Sequence, residues 1–246
     1  MKNYFYAFSM CQSMFCSIPF PCHVWEEKAR SKMLLFLPVI GLEVGFLWAA
    51  LGWLCGWIGF PPLVSALFMT VLPFLLTGFI HLDGYMDVTD AVGSCRDLEK
   101  RRAILKDSHV GAFAVIGLTL LMLSQFAFFG SLFPGKALWV LTLIPMVSRC
   151  CAGFAVDYLP SMSTSQYAGR QIPWSHLWFF GILVGILTAL GFLCFGRQGW
   201  AVAATAAACA LAIRKGYKSL EGMNGDICGF SITVGELAGI LVLSIV

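Results

Sequence analysis

The chain has 246 residues, of which 59% are hydrophobic and only 12% charged, and its mean hydropathy is +0.83. A soluble domain carries roughly twice that share of charge, so a water-soluble exterior of this size could not be covered. The net charge of +3 gives no ground for a nucleic-acid partner. Residues 1–32 are mixed and end in Glu26, Glu27, Lys28, Arg30 and Lys32, which reads as an interfacial segment closing on a solvated stretch. Met1–Met10 has one lysine, no long apolar core and no small-residue cleavage site, so the first span is expected to act as its own insertion signal. Spans are predicted at 33–60, 63–80, 110–133, 137–159, 177–195, 200–213 and 227–246, most of them near the ~20 residues that cross a bilayer. Pro61-Pro62, Pro134-Gly135 and the Gly196–Gly199 stretch mark turns between them.

The fold class that follows is all-α: a polytopic transmembrane helical bundle of about seven spans, one integral-membrane domain over residues 1–246 with the lipid bilayer as its solvent. Basic residues orient it. With the N-terminus inside, the inner loops hold Lys2, Lys28, Arg30, Lys32, Arg96, Lys100, Arg101, Arg102, Lys106, Arg170, Arg214, Lys215 and Lys218. The outer loops hold only Lys136 and Arg197. The spacings Gly41-x3-Gly45, Gly52-x3-Gly56 and Gly181-x3-Gly185 are candidates for close helix approach. The ten cysteines are scattered without a C-x-x-C pair, which argues for small apolar fillers and against a disulfide framework or a zinc site.

The chemistry concentrates in residues 81–109, a cytoplasmic loop or helix. Asp83, Asp87 and Asp90 are spaced i, i+4, i+7 and share one helical face. Three carboxylates there repel unless a cation lies between them, and oxygen donors without a histidine or cysteine cluster suit Mg²⁺ or Mn²⁺. Arg96, Lys100, Arg101, Arg102 and Lys106 follow at once, an arrangement that fits a metal-bound diphosphate. Positive-inside topology and contact with anionic lipid also account for part of this basic run. Asp107 and Ser108 are candidates either for chemistry or for capping the next helix. Arg149 sits at membrane depth, with Glu43 and Glu236 as candidate partners. Asn224-Gly225-Asp226 is a natural turn that also offers Asp226 as a further ligand.

These residues resemble a known family. The stretch from Thr77 to Ala91, T-G-x-x-H-L-D-G-x-x-D-x-x-D-A, is similar to the signature of the cobalamin synthases, also called adenosylcobinamide-GDP ribazoletransferases. The likeness continues through Arg96–Arg101, Lys106–Phe113, Gly225-Asp226-x-x-Gly229 with Glu236, and Phe15–Pro21 with Leu37-Pro38-x-x-Gly41. Departures are Cys16-Ser17 where the family carries Thr-Arg, Asn224 and Thr233 at two C-terminal positions, and the 162–169 loop. The resemblance implies a bacterial inner-membrane transferase joining adenosylcobinamide-GDP to α-ribazole or its 5′-phosphate, with release of GMP. It implies His81, Asp83, Asp87, Asp90 and Asp107 as catalytic candidates, with Mg²⁺ on the first three aspartates. Arg96, Asp97, Arg101, Lys106, Ser108, Arg149, Asn224 and Asp226 are the substrate-binding candidates, and a homo-oligomer is compatible. A CDP-alcohol phosphotransferase is the alternative, although its D-G-x-x-A-R core is missing after Asp83-Gly84. A metal or organic-ion transporter is less favoured, because its ionisable groups belong at the midplane.

Overall fold

The computed structural model describes residues 2–133, 138–163, 165 and 172–246. The expected turn at Pro134-Gly135, Lys136, Arg170 and most of the 162–169 loop lie outside these residues. Among the described residues, eleven α-helices and three short 3-10 turns make up the regular structure, with one isolated bridge between Ser161 and Met223.

Helix α1 (Lys2–Phe15) is more than an interfacial strap, because Ala7, Met10, Cys11 and Phe15 join the core. After the short α2 (Glu27–Arg30), α3 (Leu37–Ile58) begins with Pro38 in its first turn and ends at Gly59, whose φ of 78° closes it. Helix α4 (Pro62–Leu76) likewise starts on a proline, where the missing N–H costs no helical bond. Helix α5 (Ile80–Gly93) leaves α4 at 93°. The corner is Thr77-Gly78-Phe79, with Gly78 (φ 57°) and Phe79 (φ 63°) both left-handed.

The remaining helices are α6 (Leu98–Ile104), α7 (Ala112–Leu132), α8 (Leu143–Tyr158), α9 (Trp174–Phe195), α10 (Gly199–Leu220) and α11 (Gly225–Ile245). Five stretches are long and apolar enough to cross a membrane, and the α4–α5 pair passes the same test as a bent unit. One of the five, Trp174–Leu220, has 47 residues. As a straight helix it would be about 70 Å long, more than twice a hydrocarbon core of ~30 Å. It is a hairpin: the chain turns at Gly196 (φ 55°), and Phe180 and Gly181 of α9 line one cavity with Ile213 and Tyr217 of α10. With that hairpin as two crossings and α4–α5 as one, the bundle makes seven.

Helix α11 is the axis of the bundle and packs on α10, α5, α8 and α7. Of the small-residue spacings, Gly41 and Gly45 lie against the backbone of residues 141–146, whereas Gly181 and Gly185 face open space. Among the described residues, the α9 spacing is therefore not a helix contact. Large apolar side chains such as Trp57, Trp178 and Leu193 point outward, as expected where the surrounding solvent is lipid. The ten cysteines are free thiols.

Candidate active site

The site begins at the crossing of α5 and α11. A Cβ on Gly84 would stand 2.9 Å from both Cα and O of Asp226, and one on Gly229 would stand 2.8 Å from the His81 carbonyl oxygen. Only glycine at these positions lets the two backbones touch. The contact sets Asp226, in the first turn of α11, beside the acidic face of α5, so that Asp83, Asp226 and Asp90 all bear electrostatically on Asp87. Asn224 orients the newcomer: its Nδ2 donates to Asp226 Oδ2 at 2.6 Å, while its Oδ1 accepts the Ile227 N–H at 3.0 Å and caps α11. Further bonds hold α5 in place. Thr233 Oγ1 donates to the His81 carbonyl at 3.3 Å, the Tyr85 hydroxyl donates to the Gly117 carbonyl at 3.1 Å, and the Tyr85 ring stacks on Phe230.

Asp83, Asp87, Asp90, Asp107, Ser108 and His109 line a cavity of about 270 Å³. Asp90 has a second duty there. Helix α7 starts at Gly111 with no side-chain cap of its own, and Asp90 Oδ1 accepts the Ala114 N–H at 3.3 Å. A carboxylate from α5 thus stabilises the N-terminus of α7. Asp107 does not cap α7. Its Oδ1 accepts the His109 N–H at 3.0 Å and lies 2.6 Å from His109 Nδ1. The backbone bond and then the ring bond hold the Asp107 carboxyl below the usual range, and the same ring bond pushes the His109 imidazole up. A neighbouring cavity of about 380 Å³ is lined by Arg102, Lys106, Ser163, Asn224 and Asp226 among others.

Several sequence-predicted residues lie elsewhere. Arg96 is exposed and lines neither cavity. Asp97 caps α6, accepting the Lys100 N–H at 3.0 Å and pairing with Lys100 Nζ at 3.1 Å. The backbone bond and then the ammonium lower its carboxyl. Arg101 donates to the Ser219 carbonyl at 3.3 Å, and Arg102 to the carbonyls of Leu220 at 3.0 Å and Glu221 at 2.9 Å. Both arginines clamp α6 onto the C-terminus of α10, where the helix dipole favours cations. His81, two residues before Asp83, projects from the opposite side of α5 and is buried against Phe15 at 6.2 Å. Arg149 lies in the core, 2.7 Å from Glu236, and Glu43 instead accepts from Gln12 at 2.9 Å.

The structure thus gathers Asp83, Asp87, Asp90, Asp107 and Ser108 at one cavity and Lys106, Asn224 and Asp226 at the next. It adds Arg102, His109 and Ser163. Arg102 was visible only as one of a basic run, His109 only as the end of the polar stretch, and Ser163 carried no signal. Among the described residues no three His, Cys, Asp or Glu groups converge tightly enough to hold a metal ion unaided. The donor chemistry still fits a hard cation that keeps several waters and completes its shell with phosphate oxygens.

The family described as cobalamin-5-phosphate synthase matches residues 7–244. A Clostridium perfringens protein named adenosylcobinamide-GDP ribazoletransferase is 35% identical, with 100% of each chain covered. Proteins of the same name from Clostridium botulinum (33% identical, covering 98% of this chain and 97% of that one) and Desulfitobacterium hafniense (34%, 91% and 90%) are also similar. No solved structure matches the chain.

Proposed function

The chain belongs to the cobalamin-5-phosphate synthase family, and from that premise we propose that it transfers the adenosylcobinamide phosphate of adenosylcobinamide-GDP to α-ribazole or its 5′-phosphate. The ribazole hydroxyl oxygen bonds to the phosphorus that carries the cobinamide. The bond from that phosphorus to the bridging oxygen breaks, and GMP leaves with the electron pair. Lys106 and Arg102, beside Asp226 in the 380 Å³ cavity, supply the positive charge for the diphosphate oxygens. The hydroxyl proton goes to His109, which Asp107 orients through the 2.6 Å contact at Nδ1. Asp83, Asp87 and Asp90, with Asp226 beside them, would hold Mg²⁺ or Mn²⁺, which when bound neutralises the diphosphate and polarises its phosphorus.

The observation that carries this reading is the glycine crossing of α5 and α11. It joins two motif segments more than a hundred residues apart into one acidic cluster beside a basic cavity. The basic residues Arg96, Lys100 and Lys106 belong to the same end of the bundle as the carboxylates, which supports a cytoplasmic face for the site and a place in the bacterial inner membrane. The test supplies adenosylcobinamide-GDP and α-ribazole to detergent-purified protein with Mg²⁺ and follows both products. Equal amounts of GMP and completed cobamide are expected. GMP release indifferent to omitting ribazole would mean a hydrolase, and turnover of CDP-diacylglycerol instead would move the chain to the CDP-alcohol class.

A further inference from the structure

We propose that the groove between α8 and the α9–α10 hairpin binds one anionic phospholipid, with an acyl chain along the groove and the phosphate held by Arg214 and Lys218. The groove shares no lining residue with the 270 Å³ and 380 Å³ cavities of the active site, and the proposal does not depend on the transferase reading. It holds about 570 Å³, inside the range of roughly 300–1,000 Å³ usual for small-molecule pockets. On α10 its lining runs from Ala206 to Lys218, a helical rise of about 18 Å. One leaflet of a hydrocarbon core is about 15 Å deep, so the groove can follow a chain from the interface to the middle of the bilayer. Small residues hollow it out: Ala206 and Ala210 on α10, and Gly181 on α9, where a Cβ would meet nothing within 4 Å. Phe180 forms its floor, fully buried against α8, where a Cβ on Gly153 would stand 2.6 Å from the ring.

Charge is confined to one end of the groove. Arg214 and Lys218, spaced i, i+4 on α10, are exposed, and Tyr158 and Tyr217 line the groove with them. Lysine, arginine and tyrosine are the side chains that a headgroup region takes. Lys218 lies in the last turn of α10, and Asp226 in the first turn of α11, so this is the end of the bundle that carries the active site. Among the described residues no Asp or Glu lines the groove. Asp157, beside Tyr158 in the chain, faces His176 at 3.6 Å, and Glu221 is outside the lining. The groove thus offers an apolar wall along its length and uncompensated positive charge at its mouth, which are the complements of the two halves of an anionic phospholipid. A zwitterionic lipid matches the wall but brings a cation of its own to the mouth. A second copy of the chain fits less well. Gly181 and Gly185 leave room for a partner helix, but a two-fold contact presents the same patch from both sides, which sets Arg214 and Lys218 toward their own counterparts.

The experiment is native mass spectrometry of the full chain, delipidated in neutral detergent and titrated with dioleoylphosphatidylglycerol or dioleoylphosphatidylcholine. The wild type is expected to hold one phosphatidylglycerol with an apparent Kd about tenfold or more below that for phosphatidylcholine, since each basic group near a lipid surface contributes a factor of about five. Arg214→Gln/Lys218→Gln brings the two lipids to equal affinity. Arg96→Gln/Lys215→Gln, an equal loss of exposed charge outside the lining, keeps the preference. Gly181→Trp, which fills the groove from a position open to a side chain, weakens both lipids about tenfold, with gel filtration confirming that the variant is folded. Excess inorganic phosphate leaves the bound lipid in place. Equal affinity of the wild type for the two lipids, a preference that survives in Arg214→Gln/Lys218→Gln, displacement by phosphate, or a dimer that carries no lipid would overturn the proposal.

Discussion

Gly84→Ala is the smallest change that separates the two halves of the acidic cluster. The added methyl would stand 2.9 Å from the Asp226 Cα and the Asp226 carbonyl oxygen. Both are backbone atoms, so no rotamer change relieves the clash. Comfortable carbon contacts lie near 3.5–4.0 Å, which means that α5 and α11 must part by about 0.6–1 Å. Overpacking of this kind costs about 1–3 kcal/mol, which a folded bundle survives. The catalytic loss is larger, because a misplacement near 1 Å costs on the order of a hundredfold in rate. The assay is GMP release at saturating donor, acceptor and Mg²⁺, with detergent-phase gel filtration to confirm folding. Gly130→Ala is the control, since a Cβ there meets nothing within 4 Å. A monodisperse Gly84→Ala protein working within threefold of wild type would refute the claim that this crossing assembles the site.

Three further outcomes are expected. If His109 takes the proton, it must be neutral, and its affinity for that proton is raised by Asp107. The acid limb of kcat/KM should therefore rise with pH through a midpoint above the ordinary histidine value, and Asp107→Asn should move that midpoint down; a pH–rate profile unchanged in this variant would count against the pair. Chelation should stop turnover, with recovery on adding Mg²⁺ or Mn²⁺, and Asp87→Asn should raise the metal concentration for half-maximal rate about tenfold or more without lowering the melting temperature. Glu236→Ala should destabilise the bundle by about 3–5 kcal/mol, because it leaves the buried Arg149 guanidinium without its carboxylate; thermal melts in detergent should show most of that stability regained in Arg149→Met/Glu236→Leu.

Most spans were legible because they are long apolar runs bounded by proline or glycine, whereas the sixth, expected at 200–213, extends as α10 to Leu220 past Arg214, Lys215 and Lys218. The face shared by Asp83, Asp87 and Asp90 was legible because helical periodicity alone dictates it. What stayed hidden depends on contacts between distant segments. Arg101 looks like a ligand in a basic run, yet its partner is the Ser219 carbonyl of α10 more than a hundred residues away, and Arg102 keeps a place at the basic cavity while it also holds α10 through the Leu220 carbonyl. Asp90 gives no sign in its own helix that it also caps α7. Glu43 and Glu236 were equal candidates for Arg149 until packing assigned Glu43 to Gln12. His81 sits in the densest part of the motif, but its position two residues before Asp83 turns it to the other side of α5, where Phe15 covers it. The right angle at Thr77–Phe79 escaped notice because nothing in Thr-Gly-Phe announces consecutive left-handed residues, the second of them a phenylalanine.

That corner also sets how the enzyme and its membrane accommodate each other. Helix α4 has 15 residues, about 22 Å of rise, against an acyl interior of ~30 Å. Helix α5 turns away at 93° before the crossing is complete, so lipid beside α4 meets a helix shorter than its own thickness, and thinning to match it costs a fraction of a kcal/mol per ångström. Thinning beside the corner would bring headgroups and water toward the α1 end and Asp83, which line one cavity there. A bulky water-soluble corrinoid then need not enter the lipid to react. Acyl-chain length becomes a variable of the reaction: short-chain lipids keep the entrance wet, and long-chain lipids charge each turnover with deforming the membrane.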